Sequence, residues 1–228
     1  MNEARRRTRR DPKAPARTPD YGNLRHPFPP QSVFTEDAIA RMHEAALNLL
    51  EIHGIRVLHP AAVALYRHGG AIVQDDMVRI GREVVQAALA TAPRRWRLRA
   101  ANPARARDYA AGSMLFYPGA GCPNVSDRLR GRRPGSLEAF RETTILQQAF
   151  DVMHIFGPSA EPQDVPAPLR HYAMMEGQLA LGDKPMFVYA RGTGQVEESF
   201  EAIRLGLNLS ESDWADGVWA TTIINTNS

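Results

Sequence analysis

On three observations the sequence predicts an α/β fold. From residue 113 onward, four apolar runs, "SMLFYPGAG", "VMHIFGPSAEP", "KPMFVYARGTG" and "GVWATTIINTNS", each end in Gly or small polar residues. Three helix-like segments, 136–150, 168–181 and 195–208, lie between them, which is the alternation of a parallel sheet. A complete eight-stranded (β/α)8 barrel takes roughly 250 residues, and residues 113–228 supply less than half of that. The expectation is an N-terminal α+β elaboration followed by an incomplete TIM-type barrel of about four strands.

Taken in order, residues 1–20 read as a disordered basic tail, 21–112 as the α+β region and 113–228 as the first half of the barrel. "YGNLRHPFPPQSVF" is Pro-rich and extended. "TEDAIARMHEAALNLLEIHG" reads as a helix, with Thr35 as N-cap, Glu36 and Asp37 at the positive end of its dipole and Gly54 as its stop. Ile39, Met42, Ala46, Leu49 and Leu50 share one face at helical spacing. A short strand "IRVLHP" follows, then a helix from Pro60 to His68. "AIVQDDMVRI" reads as a hairpin turning at Asp75-Asp76, and "REVVQAALATAP" as another helix. "RRWRLRAAN" reads as a half-exposed strand with Trp96 and Leu98 facing one way.

The formal charge of +3 belongs to the tail. Residues 1–17 hold seven of the 28 Lys+Arg and two of the 25 Asp+Glu, leaving 21 against 23 in the body. Nothing in the body calls for nucleic acid. No run reaches the roughly 18 apolar residues of a membrane span, no apolar stretch follows "RRRTRR", and a single cysteine fits a reducing compartment. A cytoplasmic location is expected.

In both barrels and open α/β sheets, binding groups collect at the C-terminal ends of the strands. The mouth "YPGAGCPNVSD" lacks the Lys-Ser/Thr of a P-loop and the third Gly of a dinucleotide fingerprint, so it reads as a tight-turn loop, with Cys122 a small buried thiol. None of the seven histidines forms an H-E-x-x-H or Cys/His set, and no metal site is assigned; His154 and His171 read as packing or surface residues. "FGPSAEPQDVP" puts Glu161 and Asp164 at one mouth, "YARGTG" puts Arg191 and Thr193 at the next, and "NTNS" puts Asn225, Asn227 and Ser228 at the last. Phe116, Tyr117, Phe156, Phe187, Tyr189 and Trp219 lie on or beside these runs. Each packs a core by default, or some form an aromatic box for a quaternary ammonium.

Several blocks, in order, carry a resemblance: "LRHPFPP", "ALNLLEIHGIRVLHPAAVALYRHGGAIV", "VQAALATAPRRWRLRAANPAR", "PGAGCPNVSD…GRRPGS", "EPQDVP" and "TIINTNS". From about Tyr21 to the last residue the chain resembles the trimethylamine methyltransferase (corrinoid protein) family. The resemblance implies a longer protein, about twice this length, in which a segment like "NTNS" is followed by the rest of the barrel. It implies methyl transfer from a methylated amine, trimethylamine or a quaternary amine such as glycine betaine, to the cobalt of a corrinoid on a separate carrier protein. No cofactor would then be bound directly. The position that separates pyrrolysine-containing members from the others lies beyond Ser228.

In that chemistry a quaternary ammonium is already activated, because its leaving group is a neutral amine. The protein supplies a pocket and alignment. Arg191, Asn225 and Asn227 are candidates to hold a betaine carboxylate, and Glu161 is the candidate to face the cation. No residue is assigned to catalysis. Family members tend to be oligomeric, so a homo-oligomer is expected. The competing readings are an amine-binding module and a truncated, inactive fragment.

Overall fold

The computed structural model describes residues 20–29 and 31–223. The chain divides into two compact units, His26–Trp96 and the remainder, which is described over 20–25 and 97–223. Among the described residues no helix is long and apolar enough to cross a membrane.

In the first unit, Thr35 caps helix α1 (Glu36–Asn48), its Oγ1 accepting from the Ala38 N–H at 3.2 Å, with Glu36 and Asp37 in the first turn. A wider turn of π-helix, Leu49–His53, ends at Gly54. Gly54 has φ +76°, and a Cβ there would lie 2.5 Å from the Val78 carbonyl oxygen, so the predicted stop needs glycine on both counts. Strand β1 (Ile55–Arg56), helix α2 (Pro60–His68), strands β2 (Ile72–Gln74) and β3 (Met77–Arg79) and helix α3 (Arg82–Ala90) follow. The strands form an antiparallel sheet in the order β1-β3-β2, with Asp75-Asp76 at the β2–β3 turn and Asp75 at φ +53°. Arg82 ties α3 to the α1 segment through Glu44, Asn48 and Glu51.

The apolar stripe of α1 lies mostly exposed. Leu47 is buried, whereas Ile39, Met42 and Leu49 are about half exposed. A unit this small lacks the volume to cover every apolar face its helices carry. The chain leaves along β4 (Arg95–Leu98), which pairs with β5 (Arg107–Ala110). Leu98 is buried while Trp96 stands 40% exposed.

The second unit continues with a hairpin, β6 (Asn124–Asp127) and β7 (Gly131–Pro134), then helices α4 (Leu137–Ala149) and α5 (Arg170–Leu181), strand β8 (Met186–Phe187), helices α6 (Thr193–Gly206) and α7 (Glu211–Ala215), and strand β9 (Ala220–Thr221). The three long helices fall where the periodicity places them. Strands β8 and β9 pair in parallel, Met186 with Ala220 and Phe187 with Thr221. The first two apolar runs are extended but do not form regular strands. They lie beside their neighbours through isolated bonds, the His154 N–H to Phe116 O at 2.8 Å and the Phe156 N–H to Pro185 O at 3.0 Å.

Side chains take the place of the missing ladder. The Gln147 amide both donates to and accepts from Gly157, at 2.9 Å each way, and Gln178 does the same for Phe187 at 3.0 and 2.9 Å. His154 Nδ1 accepts from the Phe116 N–H at 3.0 Å, while Nε2 meets the Tyr21 carbonyl. Each backbone group in these runs that loses a strand partner must find another, and buried helix amides and an imidazole provide it. Apolar packing seats the helices on the runs. Phe140 and Met174 join α4 to α5, and Met175, Met186, Val188 and Ile203 join α5, β8 and α6. Together the elements make a mixed α/β fold.

Candidate functional site

The loops after the first two apolar runs are laced together by their backbones. The Glu161 N–H donates to Cys122 O at 2.9 Å, the Gly135 N–H to Pro123 O at 2.9 Å, and the Gln163 N–H to Gly135 O at 3.2 Å. Gly121, at φ +70°, leaves no room for a Cβ, which would fall 2.4 Å from the Tyr189 hydroxyl. The glycine-rich mouth is therefore the tight turn it was read as, packed against Tyr189 of the third run. Cys122 departs from the expectation: its carbonyl is used inward, and the residue is exposed.

This lacing sets Glu161 in a sheltered position, 9% exposed. Its Oε1 accepts from Arg170 Nη1 at 2.6 Å and from Arg191 Nη2 at 3.3 Å. Arg170, the first residue of α5, also donates to Val165 O at 2.9 Å and Gln163 O at 3.3 Å, so it fixes the loop that carries Glu161. The side chain of Arg191 is 69% exposed. Its backbone N–H is held at 2.8 Å by Gln195 Oε1 from the first turn of α6. One carboxylate thus faces two guanidinium groups, one sheltered and one largely free.

Beside this cluster His171, 2% exposed, turns Nε2 to Glu198 Oε2 of α6 at 2.6 Å. Tyr172 lies against its ring, with centroids 4.1 Å apart. Nδ1 of His171 is buried and has no hydrogen-bond partner among the described residues. His171, Glu161, Arg170, Tyr189, Arg191 and Gln195 are among the residues lining one small cavity of about 10 Å3.

The structure brings together two of the four sequence-predicted residues, Glu161 and Arg191. Glu161, expected to face a cation, faces the guanidinium groups of Arg170 and Arg191. Asn225 and Asn227 lie outside the described residues, as does Ser228. Asp164 is placed elsewhere, its Oδ1 accepting from the Leu137 N–H at 2.8 Å at the start of α4. The aromatic candidates divide. Phe156 and Phe187 are buried core, Phe116 stacks on His154, and Trp219 carries the Arg99 guanidinium 5.3 Å from its ring centroid. Tyr117 and Tyr189 are partly exposed near the mouths, as is Phe116.

Sequence reasoning missed Arg170, Glu198 and Gln195. Gln195 stands four residues after Arg191, a spacing that a helix start makes useful. His171 and Glu198 are 27 residues apart on successive helices, and no local pattern announces them.

Comparison with known proteins gives two findings. The family model for trimethylamine methyltransferase matches residues 2–228. A glycine betaine methyltransferase of Desulfitobacterium hafniense (strain Y51) is 31% identical over 175 residues, covering 76% of this chain and 36% of the relative. The chain thus matches about a third of the length of this curated relative.

Proposed function

The chain belongs to the trimethylamine methyltransferase family, and from that premise we propose that it serves methyl transfer from a methylated amine carrying a carboxylate, a betaine. The observation that carries the reading is the charge at the mouth. Glu161 neutralises one of the two guanidinium groups it touches, and the other, on the largely exposed Arg191, is left to bind an anion. A carboxylated quaternary amine is the methylated amine that uses such a group. Asn225 and Asn227 are proposed as further amide contacts to the same carboxylate.

On this reading Glu161 is a positioning residue, holding Arg191 over the mouth while Arg170 holds Glu161. Tyr117 and Tyr189 offer aromatic faces to the trimethylammonium end, which they attract by cation–π interaction. A corrinoid on a separate carrier protein would supply the reduced cobalt that accepts the methyl group, and this chain's part is to bind and align the amine. The runs 113–121, 152–162, 184–194 and 217–228 would be the first four strands of a (β/α)8 barrel, after a tail over 1–20 and an α+β region over 21–112. In support, the described runs lie side by side in sequence order with β8 and β9 parallel.

Titration calorimetry with glycine betaine, choline and trimethylamine tests the reading. Glycine betaine is expected to bind at least roughly tenfold more tightly than the two amines without a carboxylate, and Arg191→Ala to erase that margin. Equal binding of choline would overturn it. With corrinoid carrier protein added, the expected product is N,N-dimethylglycine, read by mass spectrometry.

A further inference from the structure

The buried histidine beside the mouth has a chemistry that the preceding reading does not use. Nε2 of His171 lies 2.6 Å from a carboxylate oxygen of Glu198, an acceptor, so Nε2 carries the hydrogen. In the neutral ring Nδ1 is then a lone pair. It is buried, has no partner among the described residues, and belongs to a side chain lining the cavity it shares with Glu161 and Arg191. Buried polar atoms are nearly always satisfied, so an unmet acceptor in a candidate site asks for a donor. The cavity of about 10 Å3 admits one water at most. Its rim includes the Arg191 side chain, 69% exposed, where a ligand's carboxylate would sit.

We infer that His171, oriented by Glu198, is a specificity-determining acceptor that reads an ammonium N–H through one water, and so separates tertiary from quaternary amines at this site. The inference rests on the amine-carboxylate reading above. In a short zwitterion the nitrogen lies close to the carboxylate, so a ligand anchored on Arg191 keeps its ammonium near the same cavity. Glycine betaine has four N–C bonds and no N–H to give. Loss of one methyl leaves the electron pair on nitrogen, and the resulting amine takes a proton from solvent. N,N-dimethylglycinium therefore carries the donor that the substrate lacks. The site is built to hold the demethylated ligand more tightly than the methylated one, which makes product release a controlled step.

The test is calorimetric binding of N,N-dimethylglycine and glycine betaine to the whole chain and to two variants, with thermal melts confirming that each variant folds. Gln keeps a donor near the Nε2 position facing Glu198 and removes the Nδ1 acceptor. Asn keeps a polar group near Nδ1 and gives up the Glu198 bond. The wild type is expected to favour dimethylglycine by roughly tenfold. In His171→Gln the affinity ratio is expected to fall to about one, and His171→Asn is expected to keep part of the preference. If both ligands bind and the ratio is unchanged in His171→Gln, Nδ1 serves only a structural water and the inference is overturned. If neither ligand binds the wild type, the amine-site reading falls and takes this inference with it.

Discussion

Arg170 and Arg191 touch the same carboxylate oxygen, and replacing each in turn should separate holding the site from using it. Arg170 is sheltered, with its side chain 21% exposed against 11% for Glu161. Arg170→Met removes a 2.6 Å charge-assisted bond and two bonds to loop carbonyls, and leaves Glu161 with a partner that is largely in solvent. Breaking a fully buried pair costs about 3–5 kcal/mol. Partial exposure reduces that, so a loss of about 2–3 kcal/mol is expected. Arg191→Ala removes a 3.3 Å contact from a side chain 69% exposed, worth under about 1 kcal/mol to folding. Its cost should instead appear in binding, as roughly a 10- to 100-fold loss of affinity for glycine betaine. Urea unfolding followed by tryptophan fluorescence gives the first quantity, because Trp214 and Trp219 lie in the same unit, and calorimetry gives the second. If Arg191→Ala destabilised as much as Arg170→Met while leaving betaine binding intact, both arginines would be structural and the assignment would be refuted.

Three further outcomes follow from single residues. Lys184 is buried, donating to Gln147 O and to Phe150 O at 2.8 Å where α4 ends, and burial is the main cause of its ammonium being pulled down to about 8 from the ordinary 10.5. Between those values the unfolded chain binds more protons, so stability should rise with pH across the window by about 3 kcal/mol in wild type and lose that rise in Lys184→Met, read as the difference of two pH–stability curves. Burial likewise lowers the His154 imidazole, despite the opposing bond to Tyr21, and protonation at Nδ1 would break its bond to the Phe116 N–H. Stability should therefore decline as pH falls below about 6.5, and His154→Gln should flatten that limb in acid titrations followed by circular dichroism. Gly54→Ala, at φ +76° and against the Val78 carbonyl, should cost the first unit about 1–3 kcal/mol, seen as a lower melting temperature.

The helices were legible because their signals are local. Thr35 and Ser136 each sit in front of a long helix and accept from its first turn, and periodicity supplied the rest, whereas the short α7 behind Ser210 went unread. The first two apolar runs were legible as apolar but not as irregular. What breaks their ladder is Gln147 reaching across from α4, and His154 using its own ring on the neighbouring run. Those are tertiary events that no window of sequence contains. The β6–β7 hairpin was read only as loop, since "NVSDRLRGRRP" has no apolar alternation. It is held by Asp127, which Arg130 and Arg133 contact at 2.8 and 2.6 Å, and by the bidentate Arg130–Glu142 pair. Those bonds keep the Asp127 carboxyl well below the ordinary range, the Arg130 backbone N–H contributing most. At the mouth, Glu161 and Arg191 could be read because polar residues after apolar runs stand out. Arg170 and the His171–Glu198 pair could not, because their roles depend on how α5 packs against α6.

On the proposed reading, the electrostatics of the mouth would make a carboxylate in the ligand matter more than its cation. A lone alkylammonium approaching Glu161 meets a carboxyl oxygen already shared by two guanidinium groups, and the surplus positive charge of Arg191 repels it. The aromatic surface open to it is limited too. Phe156 and Phe187 are buried, and Arg99 lies over the Trp219 ring. A zwitterion inverts the balance. Its carboxylate is drawn to Arg191 without disturbing the Glu161–Arg170 pair, and its quaternary end is left among the tyrosine faces, where attraction needs no counter-ion. Selectivity for a betaine over trimethylammonium would then come from the charge that Glu161 leaves unneutralised. It should weaken as salt screens the exposed Arg191, while the sheltered Arg170–Glu161 pair is less affected. A betaine-to-trimethylamine affinity ratio that fell with ionic strength would locate the selectivity at Arg191, and a ratio indifferent to salt would place it in the shape of the pocket instead.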